Sequence, residues 1–137
     1  MNRLILLLFI LSQASFVKAQ NNNNDIVYKG EGFYLKYINP ETQEVVTAIP
    51  YGKAPYIYYD VFFKTYDILY EGIEGGTERM KLVFLKQEEN YTEMMDTFDN
   101  KFMVFNYINE KKSLVILSHR MVNGMIVCFV IEGVQKQ

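Results

Sequence analysis

The sequence predicts a mainly β protein: an antiparallel meander curled into a small barrel or half-barrel with one short helix, with a two-sheet β-sandwich as the alternative. First, apolar and polar residues alternate with a period of two in several segments after residue 30. Second, short clusters rich in asparagine, proline and glycine separate these segments. Third, half of the 137 residues are hydrophobic and only one is cysteine, so the fold must rest on a packed core rather than on disulfides.

The first 19 residues have the three-part pattern of a secretory signal peptide. Arg3 supplies the positive start, Leu4 to Leu11 is an unbroken apolar run, and the small side chains of Val17 and Ala19 suit cleavage. The apolar run is shorter than the roughly 20 residues that a membrane-spanning helix requires. We therefore expect cleavage near Ala19 and a secreted or periplasmic protein with no membrane span in its mature chain.

The mature chain is expected to begin with an asparagine-rich flexible spacer, residues 20–25, followed by a single β-rich domain, residues 26–137. Cleavage also removes Arg3 and Lys18, which leaves 12 basic residues against 16 acidic ones. This negative balance argues against nucleic acid as a partner, because phosphate backbones attract basic surfaces.

The first part of this domain predicts two strands and a loop. Gly32 to Ile38 alternates with the period of a half-buried strand, and Glu44 to Ile49 is rich in β-branched residues. Asn39 to Thr42 carries turn residues and connects them. Prolines and a glycine then predict a loop over Tyr51 to Ala54.

An aromatic stretch follows, Tyr56 to Gly72, and it divides into strand, corner and strand. Tyr56 to Tyr59 is expected to be extended. The adjacent phenylalanines within Asp60 to Lys64 break the alternation, which indicates a short helical turn capped by Asp60. Thr65 to Glu71 resumes a period of two.

The next predicted strand, Glu78 to Gln87, forms a hairpin with the end of the aromatic stretch. A two-residue turn would place the apolar side chains of the two strands on opposite faces. We therefore predict a loop of three or five residues ending at Thr77, which places Tyr70 opposite Leu82 or Met80.

A helix is predicted over Asn90 to Phe98. Asn90 is a suitable N-cap with Glu93 three residues on, and apolar residues recur at helical spacing (Tyr91, Met94, Met95 and Phe98). A further strand over Phe102 to Ile108 and a turn over Asn109 to Lys112 complete this part of the chain.

The last predicted hairpin has the clearest local signal. Leu114 to Val122 and Met125 to Glu132 flank the dipeptide Asn123-Gly124, which favours a tight type I′ turn. Both arms are nearly continuous apolar runs, which is typical of strands covered on both faces.

Counting back from this turn places His119 directly opposite Cys128, so that the only histidine and the only cysteine become neighbours. One interpretation is a nucleophile with its base, or half of a metal site. The other is a buried, inert thiol beside a strand histidine, since the additional ligands of a zinc site and an oxyanion site are missing from the pattern. We favour the second interpretation, and no catalytic residue, metal or cofactor is predicted.

The aromatic stretch supplies the candidate ligand-binding residues: Tyr56, Tyr58, Phe62, Phe63, Tyr66 and Tyr70. Their rings either belong to the core with hydroxyls reaching the surface, or line a pocket. The second possibility predicts a non-catalytic binding module for a small apolar or aromatic ligand. The alternative function is a protein–protein interaction or structural module of the cell envelope or extracellular space, with another exported protein as its partner.

The predicted curled meander resembles the lipocalins in architecture. That likeness implies a ligand held inside the barrel. The glycine–tryptophan signature that lipocalins carry at their first strand is absent, because the chain contains no tryptophan.

Overall fold

The protein is a closed antiparallel barrel of eight strands, as seen in a computed structural model that describes residues 25–137. Two further short strands extend the wall, and this part of the chain contains one short helix. The elements are β1 (Asp25–Lys29), β2 (Gly32–Ile38), β3 (Val45–Asp60), β4 (Thr65–Gly72), β5 (Thr77–Gln87), β6 (Thr92–Met95), β7 (Lys101–Tyr107), α1 (Ile108–Lys111), β8 (Ser113–Val122), β9 (Met125–Glu132) and β10 (Gln135–Lys136). The barrel, and not the two-sheet sandwich, is therefore the architecture.

The topology is a meander that closes on itself. Each strand from β2 to β9 pairs with the next one along the chain, and β9 returns to pair with β2 over seven residues, from Gly32 opposite Glu132 to Ile38 opposite Ile126. The short strands β1 and β10 pair with each other, and β1 also pairs with the second half of β3. Closure satisfies the backbone groups that would otherwise lie on two sheet edges.

The two ends of the barrel differ. Four turns meet at one end, which we call the open end: residues 39–44, 73–76, 96–100 and 123–124. At the opposite end α1 crosses the barrel, and Ile108 and Val134 bury their side chains there, with 7% and 1% exposure. The backbone N–H of Val134 donates to the carbonyl of Lys112 and ties the C-terminal segment to this end.

Alternate residues of the wall strands fill the interior. The inward set is apolar, and its largest fully buried members come from seven different strands (Phe33, Ile57, Ile68, Leu82, Met94, Leu114, Ile116 and Ile131). No buried side-chain nitrogen or oxygen within residues 25–137 lacks a hydrogen-bond partner. The core is thus an apolar packing that runs along the barrel axis.

Predicted and observed strands differ most in β3. The strand over Gly32 to Ile38 is confirmed, but the predicted loop over Tyr51 to Ala54 is wrong, because β3 runs without interruption from Val45 to Asp60. A register shift between Lys53 and Tyr56 and the positive φ of Ala54 (47°) bend the strand instead. Pro50 is tolerated because it lies on a sheet edge, and Pro55 because it lies within the register shift.

The corner and the β4–β5 hairpin follow the prediction more closely. Oδ1 of Asp60 accepts the N–H groups of Phe62 and Phe63 at 2.9 and 3.0 Å, which confirms the capped turn. The β4–β5 loop is longer than two residues, and the apolar sets share a face, as predicted. The predicted end of the loop at Thr77 is wrong, because the loop is residues 73–76 and Thr77 already belongs to β5. Tyr70 therefore lies opposite Glu78 rather than Leu82 or Met80.

The helix predicted over Asn90 to Phe98 is wrong. Residues 92–95 form β6, whose backbone pairs with β5 on one side and β7 on the other. A helix of eight residues depends on tertiary packing, and two ladders offer this segment more hydrogen bonds. The short helix of the described chain is instead α1, where a turn was predicted.

The β8–β9 hairpin is confirmed, but not its register beyond the turn. Asn123 and Gly124 have φ of 51° and 75°, as a type I′ turn requires. The ladder shifts between Leu117 and Met121, so Cys128 lies opposite Leu117 and the predicted pairing of His119 with Cys128 is wrong. A bulge of this kind adds residues to one strand only.

The predicted signal peptide, its cleavage near Ala19 and most of the asparagine-rich spacer lie outside the described residues. Within residues 25–137 no helix is both long and apolar enough to cross a bilayer.

Substituting Gly124→Ala is expected to lower the free energy of unfolding by about 1 kcal/mol, because a Cβ atom is disfavoured at φ 75°. Urea denaturation with an unchanged m-value measures the effect. Asn123→Gly, in the other turn position, is the matched control and should keep or raise the stability. Equal losses in both variants would contradict the type I′ assignment.

Candidate functional site

Five aromatic rings meet inside the barrel below its open end, and we call them the ring cluster: Phe33, Tyr51, Tyr70, Phe102 and Phe129. Each comes from a different strand, so their meeting depends on the closed wall. Phe33 is fully buried at the base, with its ring centroid 5.2 Å from that of Tyr51 and 4.9 Å from that of Tyr70, both edge to face. Tyr51 also meets Phe129 edge to face at 4.9 Å.

Four of these rings (Tyr51, Tyr70, Phe102 and Phe129) form the floor of a pocket of about 270 Å³ at the barrel mouth, which we call the mouth pocket. Its other lining residues are Arg79, Met80 and Lys81 of β5 and the turn of residues 96–100. Aromatic rings with a few polar groups at the edge are the usual lining of a small-molecule site. The mouth pocket is therefore suited to a small apolar or planar molecule.

A rigid turn holds Phe98 over this pocket. Oδ1 of Asp96 accepts the N–H groups of Phe98 and Asn100, both at 2.9 Å, and Oδ2 accepts the side-chain amide of Asn100 at 3.0 Å. An aspartate that accepts three local bonds fixes a tight turn. As a result the ring of Phe98, 83% exposed, stands at the edge of the mouth pocket.

Apolar side chains concentrate around this mouth. Seven of the twelve exposed large hydrophobic residues in the described chain lie at or next to the open end (Val45, Val46, Ile49, Ile73, Phe98, Met121 and Val122). A contiguous apolar rim is a common mark of a ligand or partner site.

Glycine at position 52 makes the position of Tyr70 possible. A Cβ atom on Gly52 would overlap Cδ2 of Tyr70, so the ring lies directly on the backbone of β3. Burial is the main cause that raises the pKa of the Tyr70 phenol, and the neighbouring Tyr51 hydroxyl adds to it. Tyr70 thus stays neutral and presents an uncharged ring to the mouth pocket.

The six residues predicted as a site do not come together. Tyr70 lines the mouth pocket, whereas Tyr66 is buried nearer the other end, 4.6 Å from the ring of Tyr59. The side-chain amide of Asn106 donates to the Tyr66 hydroxyl at 3.2 Å. Burial raises the pKa of Tyr66 to about 12, and the bond from Asn106 opposes that rise.

The other four predicted residues lie on the outer surface. The Lys29 ammonium is 5.6 Å from the ring centroid of Tyr56. Phe62 and Phe63 stack edge to face at the corner and are 73% and 67% exposed. Tyr58 and Phe63 line a groove on the outer face of β3, β4 and β5.

This outer groove is larger than the mouth pocket, about 610 Å³, but its chemistry suits an apolar ligand less well. Three carboxylates line it: Asp25, Asp60 and Asp67. Asp67 accepts two bonds from Arg79, at 2.7 and 2.6 Å, and Asp60 caps the corner, so two of the three carboxylates have structural roles. Burial first, then the charges of Asp60 and Asp67, raise the pKa of Asp25. We therefore favour the mouth pocket as the site.

Neither Cys128 nor His119 belongs to the mouth pocket. Burial raises the pKa of the Cys128 thiol to about 11, which keeps it protonated and unreactive at neutral pH. Nε2 of His119 lies 3.5 Å from a carboxylate oxygen of Glu93 on the outer face. Residues 25–137 contain no group of three or more histidine, cysteine, aspartate or glutamate side chains that could hold a metal ion.

Several pocket residues were not predicted as site residues from the sequence. Tyr51 lay in the segment interpreted as a loop and Phe98 in the segment interpreted as a helix. Met80 was assigned to the correct face of its strand, but nothing local connects it with Phe102 or Phe129. The alternation of each strand could have predicted that its ring points into the barrel. Only the register between strands determines that the rings lie at the same level along the barrel axis.

Comparison of the chain with protein families, with curated proteins and with solved structures finds no match. Any function proposed for the chain therefore rests on the geometry of its mouth pocket.

Gly52→Ala is expected to lower the free energy of unfolding by about 1–3 kcal/mol and to displace the Tyr70 ring, because the new methyl group overlaps it. Urea denaturation and the near-ultraviolet circular dichroism of the tyrosines measure the two effects. Gly72→Ala, at the paired position of β4, is the comparison and should cost less. An unchanged tyrosine signal in Gly52→Ala would contradict the contact.

We predict that ionisation of Tyr66 lowers the free energy of unfolding at high pH. Its folded pKa of about 12 lies above the unfolded value of 10.0, so the stabilisation is complete below pH 10 and is lost as the pH rises to 12. The loss from this group is on the order of 2 kcal/mol. Chemical denaturation between pH 9 and 12 should show a shallower decline for Tyr66→Phe than for the wild type, and parallel declines would contradict it.

Proposed function

We propose that the protein is an exported, non-catalytic binding module whose mouth pocket holds a small apolar or aromatic ligand. The observation that carries this proposal is the floor of four aromatic rings, from four strands, under a pocket of about 270 Å³. Export, through a signal peptide cleaved near Ala19, is part of the proposal and rests on the N-terminal sequence pattern.

The physical basis of binding is apolar burial. Contact with the rings removes apolar surface from water at about 25 cal/mol per Å². The rings of Tyr51, Tyr70 and Phe129 meet at angles, so a planar molecule lying on them would contact one ring face on and another edge on. Thr97 in the lining of the pocket offers a polar contact that would orient the ligand.

A fluorescent probe tests the site directly. N-phenyl-1-naphthylamine, an uncharged molecule of linked aromatic rings, should bind saturably with a 1:1 stoichiometry and increased fluorescence. Phe98→Ala should raise its Kd about fivefold, because the exposed ring contributes apolar contact without supporting the core.

Phe62→Ala is the matched control. Phe62 is also an exposed phenylalanine, 73% against 83% for Phe98, but it lies at the corner on the opposite end of the barrel. Its substitution should leave the Kd unchanged. The reverse result, with weaker binding in Phe62→Ala alone, would move the ligand to the corner, and the absence of saturable binding would overturn the proposal.

A further inference from the structure

The first half of β3 is an open edge at the mouth of the barrel. Residues 45–51 pair with β2 on one side, for example Ile49 with Leu35 and Thr47 with Tyr37. On the other side β4 pairs with β3 only as far as Gly52, opposite Gly72, and no strand of the described chain continues beyond it. At about 3.4 Å per residue, this open edge is roughly 20 Å long.

The open edge lacks most of the features that protect such edges. Val45 to Ile49 contains no charged residue, and Val45, Val46 and Ile49 are 52%, 54% and 43% exposed. Natural edges usually carry lysine or proline, or are covered. Here Pro50 protects only the C-terminal end of the open edge, and the alternating N–H and C=O groups before it are available to another strand.

Acidic side chains bound the open edge at both ends. Glu41 and Glu44 lie in the turn before β3, and Glu71 and Glu74 lie in the β4–β5 hairpin beyond Gly52. Lys53 is the one basic side chain adjoining them in β3. Acidic side chains therefore outnumber basic ones at the two ends of the open edge, and residues 45–49 themselves carry no charge.

This distribution of charge indicates what kind of strand could pair with the open edge. In an antiparallel pairing of two copies of the chain, the acidic 39–44 turn of each copy would lie against the acidic 73–76 turn of the other, and like charges across a ladder are destabilising. A strand with lysine or arginine at its ends meets complementary charge at both ends instead.

We propose that the open edge of β3 takes up an extended segment of another polypeptide as an added β-strand, with an uncharged β-branched middle and basic residues at its ends. The added strand occupies the position that β4 vacates after Gly72 and lies beside Ile73. Its backbone supplies the affinity through main-chain hydrogen bonds, and its basic ends supply the orientation and the salt dependence. This interaction is independent of any ligand in the mouth pocket.

A synthetic peptide tests the proposal on the full-length protein. The probe is dye-labelled Lys-Lys-Val-Thr-Val-Thr-Val-Lys-Lys, with blocked termini. We expect saturable 1:1 binding by fluorescence anisotropy, and slowed hydrogen exchange confined to the amides of residues 45–51 and their neighbours. The same peptide with alternate amides N-methylated keeps the charge but loses donors, and it should not bind.

Reversing the charge of selected glutamates distinguishes binding at the open edge from a general electrostatic attraction between the basic peptide and the acidic protein. The double variant Glu44→Lys, Glu74→Lys should weaken binding about tenfold, since two exposed attractions become repulsions. Glu110→Lys, on α1 at the opposite end, carries the same kind of change and should leave the Kd within about twofold. Binding by the N-methylated peptide, equal effects of both variants, or no saturable binding would each overturn the proposal. So would a dimer of the protein alone that protects residues 45–51 from exchange.

Discussion

The pairing of β2 with β9 is the interaction on which the rest of the molecule depends. It joins the second strand of the described chain to the last long one over seven residues and converts a meander into a barrel. Closure fixes the tilt and register of all eight strands together. The complete ring cluster depends on this pairing, because it brings the rings of β7 and β9 against those of β2, β3 and β4. A sheet with the same strands but no closure would spread those rings along one face.

The barrel is packed unevenly along its axis, and this unevenness defines what it can hold. Below Phe33 the interior is filled with apolar side chains, most of them aliphatic, and Ile108 of α1 is buried at that end. Above Phe33 the rings tilt against one another and leave space at the mouth. The height of the ring cluster therefore limits the size of the ligand that we propose, and the uncharged phenols limit its polarity.

Local chemistry predicted the parts of the fold that local chemistry determines. The Asn123-Gly124 turn and the Asp60 cap each depend on a few adjacent residues, and both are as expected. The shift before Met121, the continuous course of β3 and the strand nature of β6 depend on neighbouring ladders, which no short window contains. The same holds for the candidate site. Of the six residues predicted from the sequence only Tyr70 lines the mouth pocket, because the register of strands around the whole barrel determines which residues line it.

The closing ladder also governs how the chain can fold. It pairs residue 32 with residue 132, so the wall cannot be completed until nearly the whole chain is present. Contacts this distant in sequence place the molecule among slow-folding β topologies, with times on the order of milliseconds to seconds. Until β9 docks, the facing edges of β2 and β8 are both exposed and apolar, a state prone to mispairing. The type I′ turn lessens that exposure, because it delivers β9 to β8 as a local hairpin and leaves a single long-range step to finish the barrel.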